Sequence, residues 1–192
     1  WPGSNPKDTI FFEEAKKIEF KNSKLTAFGA TRRSGFTCDE DPSIQAILKS
    51  GAPAVTLFGK TWDLHVVKIM NNTLEDNLKM INESVSYFKE KGREIIYDAE
   101  HFFDGFKDNP DYALETLAAA YEGGASFLVL CDTNGGTLPH EVSEAVNTVM
   151  AFFEKRFEDI SGLRIGIHAH NDSGLAVANS VEAVRAGAVM VQ

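Results

Sequence analysis

The stretch Leu163-Arg-Ile-Gly-Ile-His168-Ala-His170-Asn-Asp172 decides the fold of this chain. Its first half is mostly apolar, as in a strand with both faces covered, and its second half carries four polar side chains that can bind a metal ion. Side chains alternate between the faces of a strand, so His168 and His170 point the same way, about 6–7 Å apart. The pattern predicts a strand that ends in a metal site.

Five other apolar segments are predicted as strands, with helices between them. The six predicted strands cover residues 25–30, 54–58, 94–98, 126–132, 164–168 and 188–191. Strands separated by one helix each imply right-handed crossovers and therefore a parallel sheet. A doubly wound sheet and a (β/α)8 TIM barrel both fit this order.

Several helices are marked by their ends. Thr73 is a predicted N-cap, Gly92 ends the same helix, and Pro139 is the predicted first residue of another. Asp172 or Ser173 is predicted to cap the helix that follows the histidine motif. Weaker patterns predict helices over about residues 9–18, 42–49 and 110–122.

Polar motifs follow nearly every predicted strand, and this favours the barrel. They are Arg32-Arg33, Lys60-Thr-Trp-Asp63, Asp98-Ala-Glu100-His101, Asp132-Thr133-Asn-Gly135 and the segment from His168 to Asp172. A TIM barrel builds its site from the loops at the carboxyl ends of its strands. We therefore expect an α/β chain with the TIM-barrel fold, present as an incomplete barrel of about six strands.

The composition excludes some classes of partner. The chain has 192 residues, 43% of them hydrophobic, which is enough for one core, and its net charge is -9. That charge argues against nucleic acid or an anionic membrane as the main partner. No apolar run approaches the length of about 20 residues that a membrane span needs. Cys131 lies inside an apolar run, which predicts a buried free thiol and a reducing, cytoplasmic setting.

The histidines and two carboxylates are the first candidates for chemistry. His168 and His170 suit one divalent cation whose other ligands come from elsewhere in the fold; alternatively, one is a core histidine and the other a loop residue. Asp98 and Glu100 share a face if their strand continues in extended form. Such carboxylates serve as general acid or base or support a metal ligand, or they are solvated loop residues. His101 points the other way.

Two further residues are candidates for substrate binding. Thr133 follows the most apolar strand, and its hydroxyl can bind a substrate carboxylate or carbonyl; the alternative is a turn that starts the next helix. Arg32 can hold a carboxylate or a coenzyme phosphate, or it is a surface residue without a role. Neither a Walker loop nor a G-x-G-x-x-G motif is present, so nucleotide binding is not predicted.

Taken together, these motifs resemble those of one enzyme family. His168-Ala-His170-Asn-Asp, Asp132-Thr133-x-Gly135 and the glutamate Glu100 resemble the α-isopropylmalate, homocitrate and citramalate synthases. These synthases belong to the metallolyase TIM barrels, which also include 3-hydroxy-3-methylglutaryl-CoA lyase. The longer stretches 28–33, 55–65 and 97–105 are most similar to bacterial citramalate synthases, and the resemblance covers the whole chain.

The resemblance implies a cytoplasmic, homodimeric enzyme of branched-chain amino-acid biosynthesis. It would condense acetyl-CoA with a 2-keto acid, most of all pyruvate, with a divalent metal (Mg, Mn, Zn or Co) held by His168 and His170. Glu100 and Thr133 would be catalytic residues. The substrate would also contact Asp98 and Arg32.

The resemblance also implies that residues 1–192 form part of a catalytic domain. The family's first two strands, with an arginine and a metal-binding aspartate, would lie outside this span, as would the end of the last strand and a C-terminal regulatory domain. The alternatives are a 2-isopropylmalate synthase, a lyase that cleaves a carbon–carbon bond, and, from another class, a non-catalytic metal- or anion-binding barrel.

Overall fold

Six parallel strands form one sheet in the computed structural model, which describes all residues from 1 to 192. The strands are β1 (Thr26–Ala30), β2 (Ala54–Lys60), β3 (Glu94–Glu100), β4 (Phe127–Asp132), β5 (Ile165–Ala169) and β6 (Met190–Val191). They lie side by side in chain order, and every neighbouring pair is parallel. A doubly wound sheet reverses its strand order at a switch point, so this unreversed order is that of a barrel.

Seven α-helices connect or precede the strands. They are α1 (Pro6–Ala15), α2 (Pro42–Lys49), α3 (Leu74–Glu90), α4 (Phe102–Asp108), α5 (Pro110–Glu122), α6 (Pro139–Arg156) and α7 (Ala176–Arg185), and a π-helical turn covers His65–Ile69. The predicted bounds of α2 and α5 are confirmed. Thr73 caps α3 by accepting a hydrogen bond of 3.1 Å from the Asp76 N–H, as predicted. Helix α1 begins earlier than predicted because Asn5 caps it.

The predicted cap of α7 is wrong. The helix begins at Ala176, and the Asn171 side chain accepts a hydrogen bond of 3.2 Å from the Ala176 N–H. Ser173 instead donates its N–H to the Gly135 carbonyl at 3.1 Å, and its hydroxyl donates to the same oxygen. The polar segment after β5 therefore fastens the β5 loop to the β4 loop before the helix starts.

The two faces of the sheet have different surroundings. The outer face packs against the helices through strand residues that include Val55, Leu57, Ile95, Tyr97, Leu128, Leu130, Ile165 and Ile167. The inner face has a small apolar cluster of Ile96, Val129 and Cys131, with Phe127 and Met190 against it. Further along β3, the inner face carries Asp98 and Glu100. Along β3 the inner face thus changes from apolar to polar at the carboxyl end of the strand.

Cys38 and Cys131 are both buried and free, as predicted for Cys131. None of the helices has the length and hydropathy required to cross a membrane.

Candidate metal centre and substrate pocket

One pocket opens on the inner face of the sheet at the carboxyl ends of the strands. It has a volume of about 250 Å³ and is lined by Trp1, Phe28, Phe58, Asp98, Glu100, Cys131, Thr133, His168 and His170. The structure therefore brings together five of the six predicted site residues. Arg32 is the sixth, and it does not line this pocket.

The two histidines lie on the same side of the chain at the end of β5. Their ring centroids are 5.2 Å apart. The His170 N–H donates a hydrogen bond of 3.2 Å to the Asp132 carbonyl, which continues the pairing of β4 and β5 beyond the end of the strand. The extended conformation therefore persists to His170, and both imidazoles face the pocket.

Asp98 contacts the Nδ1 side of the His168 ring. Its side chain is almost fully buried, and one carboxylate oxygen lies 3.4 Å from Nδ1 of His168. The Gln192 side chain lies 3.0 Å from the same nitrogen and donates to the other Asp98 oxygen at 3.2 Å. These contacts engage Nδ1 and leave Nε2 of His168 for another partner. Metal-binding histidines commonly have this arrangement, since the second ring nitrogen bonds to a carboxylate, so the residues present fit a divalent metal.

The hydrogen bond to Asp98 raises the pKa of His168, although burial acts in the opposite direction. The raised pKa means that the folded state favours the imidazolium. Protonation of His168 therefore stabilises the folded state. This stabilisation is complete below the ordinary histidine pKa of about 6.5 and is lost as the pH rises through the raised pKa.

The raised pKa predicts pH-dependent metal binding, because a metal needs the unprotonated ring nitrogen. Below the raised pKa of His168, the affinity for Mn²⁺ should fall about tenfold per pH unit. Calorimetric titration of the intact protein at a series of pH values measures this. In Asp98→Asn the fall should start at lower pH, because the cause of the raised pKa is removed. An affinity that is constant between about pH 5 and 7 would contradict the assignment.

Thr133 is held by the backbone of the neighbouring loop. Its Oγ1 accepts a hydrogen bond of 2.9 Å from the N–H of His101. The hydroxyl proton has no acceptor within the protein and remains available to the pocket. His101 adopts a left-handed conformation with φ of 58°, and its Nδ1 lies 2.9 Å from Asp104. The His101 ring therefore lies outside the pocket while its backbone orients Thr133.

Glu100 is paired with Lys60, which sequence spacing could not single out from its neighbours. The two residues are register partners on β2 and β3, and their side chains form an ion pair in which each is about a quarter exposed. Lys60 therefore supplies a positive charge beside the Glu100 carboxylate at the rim of the pocket.

Arg32 is directed away from the histidines. Its buried guanidinium donates from Nε to Glu83 on α3 at 2.7 Å and from NH1 to the Arg33 carbonyl at 3.3 Å. It lines a neighbouring cavity together with Lys60. The ion pair with Glu83, far away in sequence, accounts for this position.

An aromatic wall formed by Trp1, Phe28 and Phe58 closes one side of the pocket. Phe28 and Phe58 are stacked with centroids 5.4 Å apart, and Trp1 packs edge-on against both. Sequence reasoning missed these residues and Cys131 as pocket residues. The alternation of side chains along β1, β2 and β4 was the available signal.

The profile of the HMGL-like family matches residues 29–192. The chain belongs to the HMGL-like family. The predicted resemblance to the condensing synthases is confirmed by curated relatives of this HMGL-like chain. (R)-citramalate synthases from Aquifex aeolicus and Synechocystis sp. are 56% and 50% identical to it over its whole length. A 2-isopropylmalate synthase from Pyrococcus furiosus is 29% identical over the whole chain and 36% of its own length.

The HMGL-like chain covers 35% of the length of each of these two citramalate synthases. Solved structures show the same fold. The HMG-CoA lyase from Brucella melitensis matches 97% of this chain and 62% of its own with a TM-score of 0.71 at 15% identity. The hydroxymethylglutaryl-CoA lyase from Pseudomonas aeruginosa matches 97% and 58%, with a TM-score of 0.71 at 16% identity. The predicted barrel fold, incomplete in this span, is confirmed.

Proposed function

We propose that the intact protein is a metal-dependent enzyme that condenses acetyl-CoA with pyruvate and releases citramalate and coenzyme A. The observation that carries the proposal is the pair His168 and His170 at the carboxyl end of a parallel strand, with Asp98 in contact with Nδ1 of His168. The whole-length identity to curated (R)-citramalate synthases supports the same reaction.

The proposed metal ligands in this chain are Nε2 of His168 and the imidazole of His170. Imidazole and oxygen ligands suit Mg, Mn, Zn or Co. When bound, the ion supplies a Lewis acid that polarises the carbonyl of the keto acid. Asp98 keeps the His168 ring in orientation by its contact with Nδ1.

Thr133 and Glu100 are the proposed substrate contacts. The free hydroxyl proton of Thr133 donates to the keto-acid carboxylate, and the His101 N–H fixes the oxygen that carries this proton. Glu100 lies in the same pocket and positions the substrate or holds a proton at its carboxylate. The positive charge of Lys60 reduces the electrostatic repulsion between the Glu100 carboxylate and an anionic substrate.

The aromatic wall supports pyruvate as the keto acid. Phe28, Phe58 and Trp1 line the pocket with apolar rings that can contact a small apolar group such as a methyl. In an apolar pocket, one methylene of the substrate changes the discrimination between substrates by about 1–3 kcal/mol.

The proposal is tested by measuring free thiol release from acetyl-CoA by the intact protein with Mn²⁺ and a series of keto acids. We expect kcat/KM for pyruvate to exceed that for 2-ketobutyrate and 2-ketoisovalerate by about 10–200-fold. Phe58→Ala should reduce this preference, whereas the exposed Phe11→Ala is the matched control and should leave it unchanged.

Each alternative gives a different result in this assay. A preference for 2-ketoisovalerate would indicate a 2-isopropylmalate synthase. Cleavage of 3-hydroxy-3-methylglutaryl-CoA without condensation would indicate a lyase. No turnover with any of these substrates would contradict an enzyme of this class.

A further inference from the structure

Three different donor groups converge on the floor of the pocket. Cys131 on β4 is the register partner of His168 on β5, and Asp98 projects from β3 on the other side. One ligand atom from each residue lies within 4.8 Å of the other two. The middle strand thus places a thiol beside the contacting carboxylate and imidazole.

We propose that Asp98, Cys131 and His168 form a binding site for a thiophilic divalent ion such as Cd²⁺. Zinc sites combine cysteine sulfur at about 2.3 Å with histidine nitrogen and carboxylate oxygen at about 2.0–2.2 Å, so their donor atoms are roughly 3.5 Å apart. The three atoms lie within 4.8 Å of one another, so their separations have to close by at most about 1.3 Å to reach this spacing. Water or the nearby His170 can complete a tetrahedral site.

The thiol of Cys131 makes no strong contact within the protein that would compete with a metal ion. Cys131 and Asp98 are both almost fully buried, and Ile96 and Val129 pack beside the sulfur. The only hydrogen bond of the sulfur is a long one of 3.7 Å to the Val129 carbonyl, so no strong contact has to be broken. On binding, the thiol releases its proton to solvent and the sulfur bonds to the ion as a thiolate.

The thiol distinguishes divalent ions that bind sulfur weakly from those that bind it strongly. Mg²⁺ and Mn²⁺ prefer oxygen ligands and gain little from sulfur, whereas Zn²⁺ and Cd²⁺ bind thiolate strongly. The thiophilic site shares His168 with the proposed catalytic centre and withdraws Asp98 from its position behind the ring. The two modes of binding are therefore mutually exclusive, and Cd²⁺ should compete with Mn²⁺.

The test is a titration of the metal-free intact protein with Cd²⁺, followed by near-ultraviolet absorption. Thiolate coordination produces a sulfur-to-metal charge-transfer band that oxygen and nitrogen ligands do not produce. We expect this band with the wild-type protein at one equivalent of Cd²⁺. The band should be absent in Cys131→Ser, and the affinity for Cd²⁺ should fall by more than about 100-fold. Residues that only hydrogen-bond to a metal ligand already contribute about 10–100-fold to metal affinity, and a direct ligand should contribute more.

Control variants distinguish coordination by Cys131 from coordination by the second thiol of the chain. Cys38→Ser changes the other buried cysteine and should keep the band. Cys131→Ala provides a second variant if the serine variant fails to fold. No band with wild-type protein, or a band that persists in His168→Ala or in a folded Cys131 variant, would overturn the proposal. The readout needs no turnover, so it is independent of the proposed condensation.

Discussion

Replacing His168 with alanine in the intact protein should lower kcat/KM for the Mn²⁺-dependent condensation of acetyl-CoA with pyruvate by about a thousandfold or more. The expected loss reflects the several kcal/mol that Lewis-acid polarisation contributes, at about 1.4 kcal/mol for each factor of ten. His168 is the central residue because Asp98 and Gln192 hold its Nδ1 and direct Nε2 to the pocket. His170→Ala removes the neighbouring ligand and should have a similar effect.

The measurement is release of free thiol, with Mn²⁺ binding determined in parallel by calorimetry. His140→Ala is the matched control, because His140 is an exposed histidine on α6 outside the pocket. Asp98→Asn should give an intermediate result, with a loss of about 10–100-fold in metal affinity, since Asp98 acts through the ring. If His168→Ala turned over at the wild-type rate, the proposed role of this metal centre would be untenable.

Local patterns in the sequence predicted most of the fold. The bounds of α2 and α5 follow from a proline at the first helical position after a capping Asp41 or Asn109. The strands follow from apolar segments, because a sheet covered by helices selects against polar residues there. The alternation along β3 placed Asp98 and Glu100 on one face, and the strand does extend as far as Glu100.

Features that depend on distant partners could not be predicted in this way. Arg32 lies outside the pocket because Glu83 on α3 attracts its guanidinium. The start of α7 is displaced because Ser173 bonds to Gly135 in another loop. In both cases a contact made only in the folded chain sets the position, and no local pattern in the sequence reveals that contact.

Gly105→Ala is expected to be strongly destabilising. A Cβ atom at Gly105 on α4 would lie 2.8 Å from the carbonyl oxygen of Thr61 and 2.9 Å from Cα of Trp62. Both atoms belong to the backbone after β2, so no side-chain rotation relieves the overlap. We expect a net loss of about 1–3 kcal/mol in the free energy of unfolding, because overpacking outweighs the gain of about 1 kcal/mol in helix propensity.

Urea unfolding of the intact protein, followed by tryptophan fluorescence, measures the change. Gly162→Ala is the control, since an added Cβ there has no atom within 4 Å, and it should alter the free energy of unfolding by less than about 0.5 kcal/mol. Equal stability of the two variants would show that α4 can move away from Thr61 without loss.

The same substitution should also weaken binding of the keto acid under conditions in which the variant is folded. Displacement of α4 moves Asp104, which holds the His101 ring, and the His101 N–H orients the Thr133 hydroxyl. The expected result is a raised KM for pyruvate with Mn²⁺ affinity near that of wild type, because His168 and His170 lie on a different strand. A lowered Mn²⁺ affinity with unchanged KM would contradict this connection between α4 and Thr133.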